Sequence, residues 1–135
     1  MIYLDSAAIV KMVRREPCTE ELVEWLNARP DDPLVASALV DVEVPRALRR
    51  AAPRSLAGVP STLARLYRVE IDAAVRATAA AYTEPMLRSL DSVHLATAHL
   101  LADQPGSESL TFVTYDKRLL AAAADIGLVT AAPGA

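Results

Sequence analysis

The chain has 135 residues, enough for one domain over residues 1–135 with little room for a second. Its apolar fraction is 53%, much of it alanine, and its aromatic fraction is 4%, so a helix-rich domain with an aliphatic core is expected. The formal charge of −3 excludes a whole-chain basic footprint for nucleic acid, no apolar stretch is long enough for a membrane span, and no basic leader opens the chain, so a cytoplasmic protein without membrane contact is expected.

Along the chain, Ile2 to Leu4 reads as a short buried strand ending at Asp5, followed by a helix over Ser6 to Arg15 with Ala8, Ile9, Met12 and Val13 on one face. A second helix begins at Pro17 and carries Leu22, Val23, Trp25 and Leu26, and Pro30 to Pro33 is a turn. Leu34 to Ser37 is a strand candidate. The helix after it, about Leu39 to Ala52, contains Pro45, which predicts a start near Val42 or a bend. Pro53 to Pro60 reads as a loop or weak helix start, Ser61 to Tyr67 as a helix and Val69 to Ile71 as a short strand. Asp72 caps a helix to about Tyr82, broken by Glu84 and Pro85. Asp91 begins an apolar helix over Ser92 to Ala102, and Gln104 to Ser109 is a loop. Leu110 to Thr114 is the clearest strand, Asp116 to Ile126 is a helix stopped by Gly127, and Leu128 to Thr130 is a last strand.

Short apolar strands alternating with helices predict a parallel sheet covered on both faces, with ligands bound beyond the carboxyl ends of the strands. Acids fall at that edge: Asp5 follows the first strand, Asp116 follows the Leu110 strand, Asp91 opens a helix, and Glu43 lies in the first turns of the helix after the second strand. Taken singly, each aspartate also reads as an N-cap, and Glu43 as a surface partner of Arg46. Together, four carboxylates without His or Cys suit a hard divalent ion, which removes their mutual repulsion and serves phosphodiester hydrolysis.

At these residues the sequence resembles the PIN-domain ribonucleases, particularly the VapC-type toxins of bacterial toxin–antitoxin pairs. The opening Y-L-D-S-A-A-I-V-K carries Asp5 and Ser6; V-A-S-A-L-V-D-V-E-V-P-R-A-L carries Glu43; L-R-S-L-D-S-V-H-L-A-T-A carries Asp91; T-Y-D-K-R-L carries Thr114 and Asp116. The likeness runs from residue 1 to about 130. It implies a three-layer α/β/α sandwich around a parallel sheet of four or five strands, and Mg²⁺- or Mn²⁺-dependent endonucleolytic cleavage of single-stranded or looped RNA. It also implies a homodimer and a cognate antitoxin, with DNA met only through the antitoxin. In that setting Asp5, Asp91 and Asp116 would contact the metal, Glu43 would ligate it or orient the attacking water, and Ser6 and Thr114 would hydrogen-bond the carboxylates. Two departures bear on this. Pro45 leaves the direction of Glu43 open, and Lys117 stands after Asp116 where some relatives carry a further acid.

Of the 14 basic residues, only Lys11 and Lys117 are lysines, and Arg46, Arg49, Arg50 and Arg54 cluster, as an RNA-steering patch, an antitoxin surface or a solvated helix face. Arg88 is placed to grip phosphate or to pair with Asp91. Tyr115, beside Asp116, is the aromatic best placed to stack an unpaired base. His94 and His99, five apart, share no helix face and read as packed or exposed histidines. Cys18 is the only cysteine, which excludes an intrachain disulfide, and its acidic neighbours give a thiolate no support. Two rivals remain open: a receiver domain, which needs a second acid after the first strand and a mid-chain phosphoacceptor that are missing here, and an interaction module that keeps the acids as caps. With four glycines, none in the needed loops, P-loop and dinucleotide sites are excluded.

Overall fold

The computed structural model describes residues 1–106 and 109–135; the loop expected over 104–109 therefore lies partly outside the described residues. The strands are β1 (Ile2–Leu4), β2 (Leu34–Ser37), β3 (Tyr67–Val69), β4 (Thr111–Val113) and β5 (Val129–Ala131). The helices are α1 (Ser6–Val13), α2 (Thr19–Asn27), α3 (Val40–Ala51), α4 (Val59–Leu63), α5 (Ala73–Ala81), α6 (Ser89–Ala102) and α7 (Lys117–Asp125), with a 3-10 turn at Pro53–Gly58.

All strand pairs are parallel, in the order β3-β2-β1-β4-β5, with Ile2 opposite both Leu34 and Thr111. Side chains alternate across a strand, so each central strand feeds two cores. Ile2, Leu4, Ala36 and Val113 point to one face, where they meet Ile9 of α1, Leu22 of α2, Val44 and Leu48 of α3 and Leu63 of α4. Tyr3, Val35 and Phe112 point to the other, against Leu95 and Ala98 of α6 and Leu119 and Ala123 of α7. Helix α5 packs on α6. The result is a three-layer α/β/α sandwich with β1 buried at its centre and β3 and β5 as partly exposed edges.

Several boundaries differ from the sequence expectation. Helix α3 begins at Val40 and continues through Pro45, which lies beyond its first turn and has no N–H for the Asp41 carbonyl. The helix expected to reach Tyr67 ends at Leu63, and β3 takes Tyr67 to Val69 because pairing with Val35 to Ser37 sets its register. Helix α6 opens at Ser89 with Arg88 in the N-cap position, so Asp91 sits inside the first turn and caps nothing. Gly127, just past the Ile126 C-cap of α7, adopts φ +89, a left-handed conformation that ends the helix without the steric penalty a Cβ would bring.

Candidate active site

The chain passes outward from β1 through β2 to β3, then returns to place β4 on the other side of β1. The reversal opens a crevice between β1 and β4 at their carboxyl ends, where α/β sheets bind ligands. Asp5, Glu43, Asp91 and Asp116 all line this cleft, together with Ser6, Arg46, Arg50, Arg88 and His94.

Asp5 leaves β1 and caps α1, its Oδ1 accepting from the Ala8 N–H at 2.9 Å and its Oδ2 from the Thr114 hydroxyl at 2.6 Å. Burial raises its pKa. The bonds from Thr114 and Ala8 and the proximity of His94 oppose the rise, and Asp91 adds to it. Asp116 caps α7, its Oδ1 accepting from the N–H groups of Arg118 and Leu119 at 2.9 and 3.1 Å. Its own N–H donates to Thr114 Oγ1 at 3.2 Å, so one hydroxyl ties together the two acids that end β1 and β4.

Asp91 projects from the first turn of α6. Burial raises its pKa against the lowering charge of Arg88, and Asp116 raises it further. The Arg88 guanidinium spans both acids, with Nε 3.4 Å from Asp91 Oδ2 and Nη2 3.3 Å from Asp116 Oδ2.

Glu43 points into the cleft despite Pro45. Its Oε1 accepts from Ser6 Oγ at 2.6 Å and lies 2.7 Å from His94 Nε2. Burial works against its ionisation, but the hydrogen bonds from His94 and Ser6 and the proximity of the imidazole outweigh it and lower the pKa.

His94 is the site residue that the sequence reading does not single out. It is 2% exposed, and its five-residue spacing from His99 hides its place in the site. The signal lies in its spacing from Asp91: three residues along α6 puts both on one face. Tyr115 corrects an expectation in the other direction. It does not line the cleft; its hydroxyl donates to the Pro133 carbonyl at 2.9 Å and Lys11 lies 4.8 Å above its ring. Burial pushes its pKa up to about 12, and the half-buried ring packs against the core on the α1 side of the sheet. Of the arginine cluster, Arg46 and Arg50 face the cleft from one side of α3, while Arg49 and Arg54 do not.

The donor set suits a hard cation: four carboxylates from four elements, two of them raised in pKa partly by neighbouring acids, and an arginine cation already lying between a pair. Among the described residues, no three acidic, His or Cys side chains stand close enough to grip an ion as they are. Asp91 and Asp116 are drawn toward Arg88 instead.

The PIN domain family model matches residues 2–125. Ribonuclease VapC35 of Mycobacterium tuberculosis is 48% identical over 134 residues, covering 99% of this chain and 98% of that protein. Two solved structures share the fold. VapBC2 from Rickettsia felis, bound to a promoter DNA fragment, aligns over 98% of this chain and 99% of its own with TM-score 0.67 and 16% identity. FitAcB from Neisseria gonorrhoeae aligns over 96% of each chain with TM-score 0.69 and 21% identity.

Proposed function

This chain belongs to the PIN-domain family, among the VapC ribonucleases, and from that premise we propose that it is the toxin of a toxin–antitoxin pair, cutting single-stranded or looped RNA by metal-assisted hydrolysis. The observation that carries the reading is the meeting of Asp5, Glu43, Asp91 and Asp116 in one cleft at the β1/β4 crevice.

Asp5, Asp91 and Asp116 would hold a Mg²⁺ or Mn²⁺ ion, with Glu43 as a further ligand or as the group that orients the attacking water. When bound, the ion supplies a water of lowered pKa and neutralises charge developing on the phosphate. The chain's own residues do the rest. Thr114 holds Asp5 toward the cleft, and Ser6 and His94 keep Glu43 ionised and fixed. Arg46 and Arg50, four residues apart on α3, offer guanidinium groups to backbone phosphates. Arg88 would leave its bridge between Asp91 and Asp116 as those carboxylates turn to the ion.

A cognate antitoxin would cover the same cleft. Val42 and Leu90 rim it with exposures of 61% and 51%, and the acids within suit a basic side chain from the partner. DNA would be met only through that antitoxin.

The test is purified protein with single-stranded RNA, with Mg²⁺ or Mn²⁺ and with EDTA, beside Asp5→Asn. Cutting is expected with metal only and is lost in the variant. Cutting that survives both EDTA and the substitution overturns the mechanism.

A further inference from the structure

We propose that His94 is a positioning residue for RNA cleavage: braced at Nδ1 by Tyr3, it holds Oε1 of Glu43 so that Oε2 faces the cleft. This rests on the reading of Glu43 as part of the cleavage machinery.

The geometry is a relay across four elements. At the end of β2, the Ser37 N–H donates to the Tyr3 hydroxyl at 3.2 Å. The same hydroxyl bonds the Thr97 side chain and lies 2.8 Å from His94 Nδ1, to which it donates because the Glu43 carboxylate, an acceptor only, takes a hydrogen from the other ring nitrogen. With Nδ1 accepting, the imidazole carries its hydrogen on Nε2 and donates it to Glu43 Oε1 at 2.7 Å. Ser6 Oγ donates to the same oxygen and lies 3.2 Å from Nε2, so both bonds fall on Oε1.

Neither anchor has room to swing. Tyr3 is fully buried on β1, its ring stacked on Phe112 with centroids 5.2 Å apart and planes 7° from parallel. His94 is packed beside Leu95 and Ala98 on the buried face of α6. An aliphatic core has no need of a phenol and an imidazole, since each must be hydrogen-bonded to be buried without penalty. Here that chain of bonds ends on a carboxylate at the mouth of the cleft. It also supplies what α3 lacks: Pro45 removes a backbone bond just after Glu43, and the relay fixes the carboxylate from outside the helix.

The experiment compares RNA cleavage under saturating Mn²⁺ by wild type, His94→Leu, His94→Gln, Glu43→Ala and the double variant His94→Leu/Glu43→Ala. His94→Leu is expected to lower kcat about 10- to 100-fold with KM little changed, the range for residues that orient a metal-site ligand. His94→Gln keeps an N–H aimed at Glu43 and is expected to recover most of the loss. In the Glu43→Ala background, His94→Leu should cost no further activity. A glutamine variant as poor as leucine, or an undiminished loss in that background, overturns the proposal. Wild-type cutting by Glu43→Ala would instead overturn the role of Glu43 itself. Should His94→Leu fail to fold, or Glu43→Ala cut too slowly to read, ring-nitrogen NMR of the wild-type protein decides. A protonated Nε2 whose resonance moves in Glu43→Ala is expected, and the reverse tautomer overturns the proposal.

Discussion

The Thr114 hydroxyl donates a 2.6 Å hydrogen bond to Asp5 Oδ2, joining residues 109 positions apart and fixing the end of β4 to the end of β1. Thr114 is fully buried and Asp5 is 5% exposed. Thr114→Val keeps the shape and removes the bond. It should destabilise the protein by about 1–3 kcal/mol, the penalty of a buried acceptor left without a partner. It should also slow RNA cleavage about 10-fold or more, while Thr114→Ser retains most of both. Urea unfolding and cleavage assays check this, and a valine variant as stable and active as wild type would remove Thr114 from the account.

The raised pKa of Asp5 has a signed consequence for stability in metal-free protein. Folding favours the protonated form, so the contribution of Asp5 falls as pH rises from its ordinary value of 3.8 through its raised folded value. Glu43 has the opposite sign: its contribution is present above its ordinary 4.5 and is lost as pH falls through its lowered folded value. Asp5→Asn should therefore gain stability relative to wild type as pH rises from about 4 toward neutrality. Chemical denaturation of both proteins across that range, in EDTA, measures the difference.

Metal should reverse that ordering. A ligand that binds only the folded state stabilises it by about 2.7 kcal/mol at 100 times its dissociation constant. Wild-type Tm should thus rise with added Mn²⁺, and the Tm of Asp5→Asn should rise far less. Equal shifts in the two proteins would place the ion away from Asp5.

Arg88 competes for the ground a cation would take. Its side chain is 75% exposed, so its pairs with Asp91 and Asp116 should contribute under about 1 kcal/mol. Arg88→Ala should leave stability nearly unchanged and tighten Mn²⁺ binding several-fold, read by the paramagnetic resonance of the free ion. Weaker Mn²⁺ binding would mean that Arg88 supports the acids rather than occupying their site.

Arg46 and Arg50 should set the salt dependence of RNA binding. For a single strand, each phosphate that is no longer neutralised by a guanidinium lowers the slope of log K against log salt by about 0.7. Arg46→Gln/Arg50→Gln in the Asp5→Asn background should therefore flatten that slope by about 1.4 in fluorescence anisotropy. Arg49→Gln/Arg54→Gln, at positions that do not line the cleft, should leave it unchanged.

Local features of the fold were legible from the sequence. The bounds of β2, the caps at Asp5, Asp72 and Asp116, and the stop at Gly127 depend on residues within one turn of each other. Where neighbours compete, the local signal failed. Asp91 has the composition of a cap, yet Ser89 and Leu90 are already helical. Tyr115 follows a strand toward the acids, yet its ring turns to Lys11 and its hydroxyl to Pro133.

The sequence by itself determined the alternation of strands and helices and put carboxylates at strand ends, because periodicity and capping act over a few residues. The tertiary structure alone decided which groups meet. The strand order β3-β2-β1-β4-β5 brings Thr114 to Asp5, and the packing of α6 over the sheet brings His94 to Tyr3, 91 residues away, and to Glu43, 51 residues away. Those pairings arise from burial on two faces of one sheet, and no stretch of chain short enough to read locally contains both partners.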